Sequence, residues 1–421
     1  MKKAILFTLS LLSGITLAQT NVSGGIYTSE TWTTAGSPYV VSGNLVLFEG
    51  VDLTVEPGVH VQFNPGASLE VRGKLIAIGT ETDSIYFTSS LSSPVMNSWN
   101  GIKVIGTDTS NPIDQVTMHY VKGMYAHTFI DLDAAYQGPY NFKHCYFAQN
   151  SKVNEDGGMP STNFDYCTFE ANAQALDWCQ FSNRASHCHF IHNGIGLVGI
   201  EKVDTCYFAY NTQYALAPYG VTTGCTIEYN TLGVKTGFNA VNHTFVNNTV
   251  VNNHVGMEVN SFFNGSQNFT GNTICNNTEY NLRYLSTNNA DLGMNCWCTT
   301  DENLIHDGIF DGYDDVSYGL VSVSPASTNC DGPFIAETPE IIAPDFNVSI
   351  FPNPFVEAIQ FQTDIEQELT LSVYDMFGRQ VWNQTFFNQI KIDGNRFDTG
   401  MYIYELRSEN GQTQSGKLVK K

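Results

Sequence analysis

The sequence is poor in positive charge. Its 421 residues include 19 Lys and Arg against 41 Asp and Glu, a formal net charge of −22. Residues 19–342 carry 31 acidic and 10 basic residues, or −21, whereas residues 343–421 carry 10 and 7, or −3. A surface this acidic repels phosphate backbones and anionic lipids. We therefore expect no nucleic-acid partner, while neutral glycans and cations remain compatible with the charge.

Long apolar runs are also lacking, apart from one at the N-terminus. The opening MKKAILFTLSLLSGITLAQT places two lysines before an apolar stretch, Ala4 to Leu17, and small residues before Gln19. The stretch is short for a transmembrane helix, and this order is typical of a secretory signal peptide. We predict that residues 1–18 are a signal peptide and that no membrane span remains after its cleavage.

Amphipathic helical periodicity is scarce as well, and a short repeat stands in its place. The unit is Cys-x-apolar-x-x-Asn, with Asn sometimes replacing Cys at the first position, and its copies are 18–24 residues apart. The copies begin at Cys145, Cys167, Cys188, Cys206, Cys225, Asn248 and Asn272. Within a unit the apolar residues alternate with polar ones, which is the spacing of a β-strand.

A unit of about 20 residues cannot bury its own apolar face, so copies of it must stack. The repeat therefore predicts an all-β fold, a right-handed parallel β-helix with one coil per unit. The Cys and Phe positions then form inward rows, and the Asn amides form a ladder along the axis. We expect each Asn to occupy a bend in the left-handed conformation. A further inward row is predicted at Leu176, Leu197, Leu216, Val234, Met257 and Leu282.

The N-terminal part shows the same alternation without cysteines. Strand-like residues around Leu53, Val61 and Leu69 are separated by the turns Pro57-Gly58 and Pro65-Gly66. The run GNLVLFEGVDLTVEPGVHVQFNPGASLEVRGKLIAIGT resembles the opening coils of secreted, pectate-lyase-like bacterial β-helix proteins, and residues 295–325 resemble their closing coil. The resemblance implies a β-helix with terminal caps over residues 19–325.

Ten cysteines in an exported chain raise the question of disulfides. In-register parallel strands point neighbouring Cβ atoms alongside each other, so we expect the five repeat cysteines to be free and buried. Pairing among the others stays open, with either Cys296 or Cys298 as a partner for Cys330. These others are Cys179, Cys275, Cys296, Cys298 and Cys330. A Cys-x-Cys metal site would need two more ligands nearby, so no metal site is assigned.

After residue 325 the composition changes. Residues 326–342 are rich in Pro and lack alternation, which indicates a linker. Residues 343–421 contain several strand-like runs separated by turn residues, which favours a small Ig-like β-sandwich.

Three motifs mark this last domain. They are SIFPNPF at 349–355, LSVYDMFGRQV at 371–381, and GMYIY at 400–404 followed by the terminal GKLVKK. Together they closely resemble the type A C-terminal sorting domain of type IX secretion substrates. The motif positions are Pro352, Asn353, Pro354, Tyr374, Asp375, Gly378, Gly400, Tyr402 and Lys417. The resemblance implies export through the type IX machinery, removal of residues 343–421, and a passenger that is released or attached to the outer-membrane surface.

The candidate site is a groove on the outside of the β-helix. Residues that follow the inward leucine row should point outward, and the rings Tyr140 and Tyr214 should lie close to them. The candidate groove residues are Asp131, Asp133, Asp177, Trp178, Lys235, Glu258 and Arg283. Carboxylates beside aromatic rings suit a sugar. We therefore predict a structural, adhesive or glycan-binding passenger rather than an enzyme, with polysaccharide as a partner.

The alternative is a polysaccharide lyase or a glycoside hydrolase that acts in the same groove. A lyase needs clustered carboxylates for Ca²⁺ and a Lys or Arg base, and Asp131, Asp133 and Asp177 supply the first requirement. A hydrolase needs two carboxylates across a cleft. On a surface with this many acidic residues, such spacings also arise by chance. We therefore assign no catalytic residue. Ca²⁺ is the only cofactor that this alternative suggests.

Overall fold

The computed structural model describes residues 19–106, 115–134, 138–155, 161–177, 183–236, 244–260, 269–328, 330, 348–363, 368–375, 380–408 and 413–421. The predicted signal peptide, Trp178, Cys179 and Gly378 lie outside these residues. The chain divides into two compact units, Met1–Ile335 and Ala336–Lys421. Within the described residues, no helix combines the length and apolar character needed to cross a membrane.

The first unit consists of short strands with one short helix near its end. Its strands are β1 Thr20–Ile26, β2 Glu30–Trp32, β3 Tyr39–Leu47, β4 Asp52–Val55, β5 His60–Phe63, β6 Ser68–Val71, β7 Lys74–Ile78, β8 Ile85–Ser89, β9 Trp99–Ile105, β10 Val116–His119, β11 Val121–Met124, β12 Ala126–Ala134, β13 Tyr140–Lys143, β14 Tyr146–Ala148, β15 Lys152–Glu155, β16 Thr162–Asp165, β17 Thr168–Glu170, β18 Gln174–Leu176, β19 Arg184–Ser186, β20 His189–Ile191, β21 Ile195–Val198, β22 Lys202–Asp204, β23 Tyr207–Ala209, β24 Tyr214–Ala217, β25 Val221–Thr223, β26 Thr226–Glu228, β27 Leu232–Thr236, β28 Thr244–Val246, β29 Thr249–Val251, β30 Val255–Val259, β31 Thr273–Cys275, β32 Tyr280–Tyr284, β33 Ala290–Asp291, β34 Ile309–Phe310 and β35 Val321–Ser322, and its helix is α1 Glu302–His306.

Most of these strands form three parallel columns, and each coil from β10 to β27 gives one strand to each column, while β33 and β35 form a separate two-stranded sheet. One column runs β2-β4-β7-β10-β13-β16-β19-β22-β25-β28 as a ten-stranded sheet. The second runs through β14, β17, β20, β23 and β26, and the third through β12, β15, β18, β21 and β24. The pairing is parallel between successive coils, for example Phe169 with Phe190 and Leu176 with Leu197. The predicted parallel β-helix is confirmed.

The core is built from the predicted inward rows. Phe169, Phe190 and Phe208 are fully buried, and their rings stack with centroids 4.6 and 4.7 Å apart. The row from Leu176 to Leu282 is buried at every position. Burying such side chains contributes roughly 1.5–3 kcal/mol each, so these rows provide much of the driving force for stacking the coils.

The asparagines form the predicted ladder. The Oδ1 atom of Asn172 accepts from both the backbone N and the Nδ2 of Asn150, at 2.9 and 3.0 Å. The same pair of bonds joins each later rung to the next. The rungs are Asn150, Asn172, Asn193, Asn211, Asn230, Asn253 and Asn277. A second, shorter ladder of Asn248, Asn272 and Asn295 continues the cysteine row.

The expectation that these asparagines adopt the left-handed conformation is wrong. Positive φ falls on the preceding residue, at Gln149 (58°), His192 (57°), Tyr210 (58°) and Tyr229 (57°). The turn places that preceding side chain outside, while the amide of the following Asn points inward to hydrogen-bond along the axis. Two adjacent residues therefore divide these roles: the first forms the bend and the second forms the rung of the ladder.

The cysteines divide into two groups. The five repeat cysteines are free and buried, as predicted, and their thiols donate to backbone carbonyls, as Cys188 Sγ does to Phe164 O at 3.3 Å. The closing coils carry two disulfides, Cys275–Cys298 and Cys296–Cys330. Of the open alternatives for Cys330, the structure pairs it with Cys296. These disulfides tie the last coils of the β-helix to each other.

The second unit contains two antiparallel sheets. Its strands are β36 Val348–Phe351, β37 Ala358–Thr363, β38 Glu368–Asp375, β39 Gln380–Phe387, β40 Gln389–Asp393, β41 Gly400–Ser408 and β42 Thr413–Lys420. The sheet orders are β36-β37-β40 and β39-β38-β41-β42. A separate core that includes Phe361, Leu371 and Leu406 lies inside this unit, as the prediction of a small β-sandwich requires.

Candidate functional site

The third column continues through β27, β30 and β32. The predicted groove residues that the structure describes lie on its outward side, namely Asp131, Asp177, Lys235, Glu258 and Arg283. Asp131 in β12 is in register with Lys103 in β9, and its carboxylate lies 3.8 Å from Lys103 Nζ. Strand alternation places these side chains outside because their neighbour Ile130 is fully buried. The first groove carboxylate is therefore paired with a lysine one coil earlier.

Lys152 organises the next cluster. Its Nζ lies 3.2 Å from Glu155 and 3.7 Å from Asp177, two carboxylates from successive coils. Burial raises the pKa of Asp177, and the positive charge of Lys152 acts in the opposite direction. Burial is the larger of the two effects, so the pKa of Asp177 is raised overall although its carboxylate lies beside the lysine.

The remaining predicted residues form a second cluster further along. Lys235, Glu258 and Arg283 occupy the same register position on β27, β30 and β32. Glu258 bonds to Arg283 and to Asn260. Burial opposes ionisation of Glu258, but these bonds more than offset it, and its pKa is lowered. Lys235 lies over the ring of Tyr214, 5.5 Å from its centroid, so Tyr214 lies beside this second cluster.

The two clusters are not joined by an open groove. On the two coils between the clusters, Val198 and Ala217 occupy the corresponding outward positions, yet these side chains are only 2 % and 0 % exposed. Tyr140, predicted to be near the groove, instead lies in the core, because it alternates with the equally buried Phe142 on β13, and its hydroxyl bonds to Gln115. The side chain of Asp133 and all of Trp178 lie outside the described residues, so their predicted roles remain predictions.

This geometry limits what the site can do chemically. In the part of the chain that the structure describes, Asp131, Asp177 and Glu258 each have a Lys or Arg beside them. A calcium ion would compete with those cations for the same oxygens, so the side chains do not make a ready set of Ca²⁺ ligands. The charges can still bond to sugar hydroxyls.

A second outer face, which the sequence reasoning missed, lies on the second column. There Tyr146 Oη donates to Glu170 Oε2 at 2.8 Å, and Tyr207 Oη donates to Glu228 Oε1 at 3.0 Å. Burial and the neighbouring carboxylate raise the pKa of both phenols, so they stay neutral. The signal in the sequence is Tyr-Phe-Ala in one repeat followed by Thr-x-Glu in the next.

The sorting motifs are brought together in the second unit. Asn353 Nδ2 donates to Lys417 O at 2.7 Å, and Val419 N donates to Asn353 Oδ1 at 2.9 Å. The amide of the first motif thereby binds the final strand. Tyr402 is buried and donates to Asp398 O, and Asp375 pairs with Tyr402 between β38 and β41. The three motifs thus form one folded unit.

Residues 349–421 match the family described as the secretion system C-terminal sorting domain. The second unit is therefore a sorting domain of the type IX secretion system, and the chain is a β-helix passenger exported by that system to the cell surface or the medium. Protein bark beetle of Drosophila melanogaster is 40 % identical over 53 residues, which cover 13 % of this chain and 2 % of that protein. The chain thus spans a very small part of this relative.

Proposed function

We propose that the β-helix acts outside the cell as a structural or adhesive scaffold that binds glycan through its outer surface. The observation that carries this proposal is the pairing of charges along the third column. Asp131, Asp177 and Glu258 are partners of Lys or Arg on neighbouring coils, an arrangement that fixes side chains in place. Catalysis by a carboxylate pair needs one acid kept protonated beside another kept ionised. Asp177, whose pKa is raised, does lie near Glu155, but both carboxylates bind the same Lys152.

The rigidity of the β-helix supports the same function. The amide ladders and aromatic stacks hold successive coils in one register, so outward side chains repeat at a fixed distance along the axis. A surface with a regular spacing suits a regular polymer.

The test measures cleavage and retention together. The purified full chain, with and without calcium, is mixed with neutral and acidic polysaccharides, and both polymer size and bound fraction are followed. We expect retention of a neutral polysaccharide with no change in its size. A fall in polymer size that Asp177→Ala or Asp133→Ala abolishes in a folded protein would instead establish the alternative, a lyase or hydrolase in the groove.

Sorting has its own test. Deleting residues 343–421 should leave the passenger inside the outer membrane, because the sorting domain is then missing. Mass spectrometry of the wild-type protein outside the cell should show a C-terminus before residue 343. Undiminished export of the truncated chain would contradict this role. Fractionation of cells from medium then distinguishes an attached passenger from a released one.

A further inference from the structure

The second column of the β-helix presents an outward surface that we call the tyrosine face. It consists of the outward side chains of β14, β17, β20, β23 and β26. One row of it runs through consecutive coils in continuous register, and its members are Tyr146, Thr168, His189, Tyr207 and Thr226. Parallel strands about 4.8 Å apart make this row straight along the axis.

Each tyrosine of this row is held down onto the sheet. Tyr146 bonds to Glu170, and Tyr207 bonds to Glu228, in both cases a carboxylate on the following coil. The residue directly in register on that coil is a threonine, Thr168 or Thr226. Because the threonine is small and the hydroxyl is anchored beyond it, the ring lies across the sheet instead of standing away from it.

The two clamped tyrosines repeat one local design. Each belongs to a Tyr-Phe-Ala strand followed one coil later by a Thr-x-Glu strand. They are three coils apart, which corresponds to about 14 Å along the axis. Two coils lie between them, those of Thr168 and His189, and the His189 ring meets Tyr207 edge to face at 5.8 Å. The design therefore gives two rings on one line, at a fixed separation.

Aromatic stacks flank this row at both corners. On one side the rings of Tyr120, His144, Tyr166 and His187 stack at 4.8, 5.1 and 4.7 Å. On the other side His192, Tyr210 and Tyr229 stack at 5.1 and 5.4 Å. Rings stacked in this way cover each other's faces and present their polar edges to solvent. The tyrosine face is thus a strip of rings between two rows of hydrogen-bonding edges.

The chemistry of the strip selects one kind of ligand. Tyr146 and Tyr207 are partly buried, whereas the corner rings Tyr166, Tyr210 and Tyr229 are 44, 49 and 48 % exposed. Exposed apolar rings that lie side by side mark a binding surface, and ring faces pack against the apolar C–H faces of sugar rings while polar edges meet hydroxyls. The five strands of the face contain no Lys or Arg but include Glu170 and Glu228, on a chain of net charge −22. Lys122 on β11 is in register with Tyr146 at one end of the face, and its amine lies over the ring of Tyr86. The face therefore disfavours anionic polymers.

We propose that the tyrosine face binds a neutral, extended, β-linked polysaccharide laid along the axis of the β-helix. The inference rests on the proposed glycan-binding function and assigns it to this face instead of the charged third column. Tyr146 and Tyr207 contact sugar rings, and Glu170 and Glu228 position them. A straight, flat strip matches an extended ribbon and does not match a coiled α-linked chain.

The experiment measures retention of the purified full chain on cellulose and mannan as extended neutral probes, amylose as a coiled neutral probe, and polygalacturonate as an anionic one. We expect retention on an extended neutral probe only. Replacing both rings (Tyr146→Ala with Tyr207→Ala) should weaken it at least about tenfold. Tyr313→Ala is the matched control, since that ring is 74 % exposed in the closing region, and it should bind like wild type.

The positioning role has a separate readout. The double variant Glu170→Ala with Glu228→Ala keeps both tyrosine rings but removes the carboxylates that hold them. Its retention should fall less than that of the double tyrosine variant. Glu170→Gln with Glu228→Gln should restore most of the lost retention. Unfolding curves establish that each variant is folded. Retention on polygalacturonate in preference to cellulose and mannan would overturn the assignment of a neutral ligand.

The outcomes also distinguish this inference from the function on which it rests. If Asp177→Ala or Lys235→Ala abolishes retention on cellulose or mannan and the double tyrosine variant does not, the third column is the site. The inference then fails and the proposed function stands. If wild type is retained on none of the four probes and on no other polysaccharide tested, both fail.

Discussion

The opening coils and the middle coils of the β-helix reach the same fold with different interiors. In the opening coils, Leu45, Leu69 and Ile102 form an aliphatic row on β3, β6 and β9. In the middle coils, buried amides run beside the apolar rows, as at Asn193 and Asn211. Apolar contacts are non-directional, whereas a buried amide is satisfied in one arrangement only. The comparison indicates that the ladder mainly fixes register and the apolar rows mainly drive burial.

The largest expected effect comes from breaking the ladder. Asn211→Leu removes the acceptor of Asn193 N and Asn193 Nδ2 and the donor to Phe190 O. Because these groups remain buried, we expect a loss of about 4 kcal/mol in the free energy of unfolding. Chemical denaturation measures it.

The matched control lies in the opening coils. Asn64 accepts from Ser90 Oγ at 2.7 Å in a partly buried position, so solvent can replace the lost bond. Asn64→Leu should cost about 1 kcal/mol or less. Equal losses at Asn64 and Asn211 would show that the middle coils do not depend on their buried amides.

The next effect concerns the closing coils. Cys275 and Cys298 are 23 residues apart in sequence and are joined by a disulfide. Replacing both with Ala should lower the free energy of unfolding by about 3 kcal/mol, chiefly because the unfolded chain gains freedom. Denaturation under oxidising conditions tests this. Under reducing conditions the difference between variant and wild type should shrink, and a difference that persists there would point to packing.

A smaller effect is expected from extending the short ladder by one rung. Cys225 precedes Asn248 in the same row, and Asn248 Nδ2 bonds to Thr222 O. In Cys225→Asn the new amide can donate a hydrogen bond to the equivalent carbonyl one coil earlier. We therefore expect the free energy of unfolding to change by no more than about 1 kcal/mol. Leu69→Asn is the contrast in the opening coils, where the described residues form no amide ladder, and it should lower the free energy of unfolding by about 3 kcal/mol or more.

The smallest effect is a dependence on pH. Burial lowers the pKa of His189 in the middle coils and of His60 in the opening coils. Below a pH of about 6.5 the unfolded chain therefore binds more protons than the folded chain does. The free energy of unfolding falls as the pH drops through this value. His189→Gln should flatten the decline in unfolding free energy between about pH 7 and pH 5.

His60→Gln should act in the same direction in the opening coils. The double variant tests whether the two regions respond independently. An unchanged pH profile in all three variants would mean that neither imidazole is desolvated in solution.

Sequence reasoning was most successful where a period determines the structure. The inward rows at Phe190 and Leu197, the ladder at Asn193 and the free thiol of Cys188 all follow from stacking one repeat on the next. Each of these features depends on spacing alone. The sorting motifs were equally accessible because their order and spacing are distinctive.

The features that were missed depend on contacts between coils. The clamp from Tyr146 to Glu170 crosses diagonally to the next coil, and the pairing of Cys275 with Cys298 depends on how the closing coils lie on each other. The burial of Val198 cannot be derived from its outward register. The left-handed φ of the residue before each Asn, as at Gln149, was assigned one position too late.

The ladder also has a consequence for how the protein can change length. A rung such as Asn193 bonds to amides only on the adjoining coils, at Asn172 and Asn211. A whole unit can therefore be duplicated or deleted, because the coils that become neighbours can form the same Asn–Asn hydrogen bonds as before. Since the two clamped tyrosines are three coils apart, copying those three units would lengthen the ring strip by one more tyrosine, so gene duplication alone can adjust the reach of this protein.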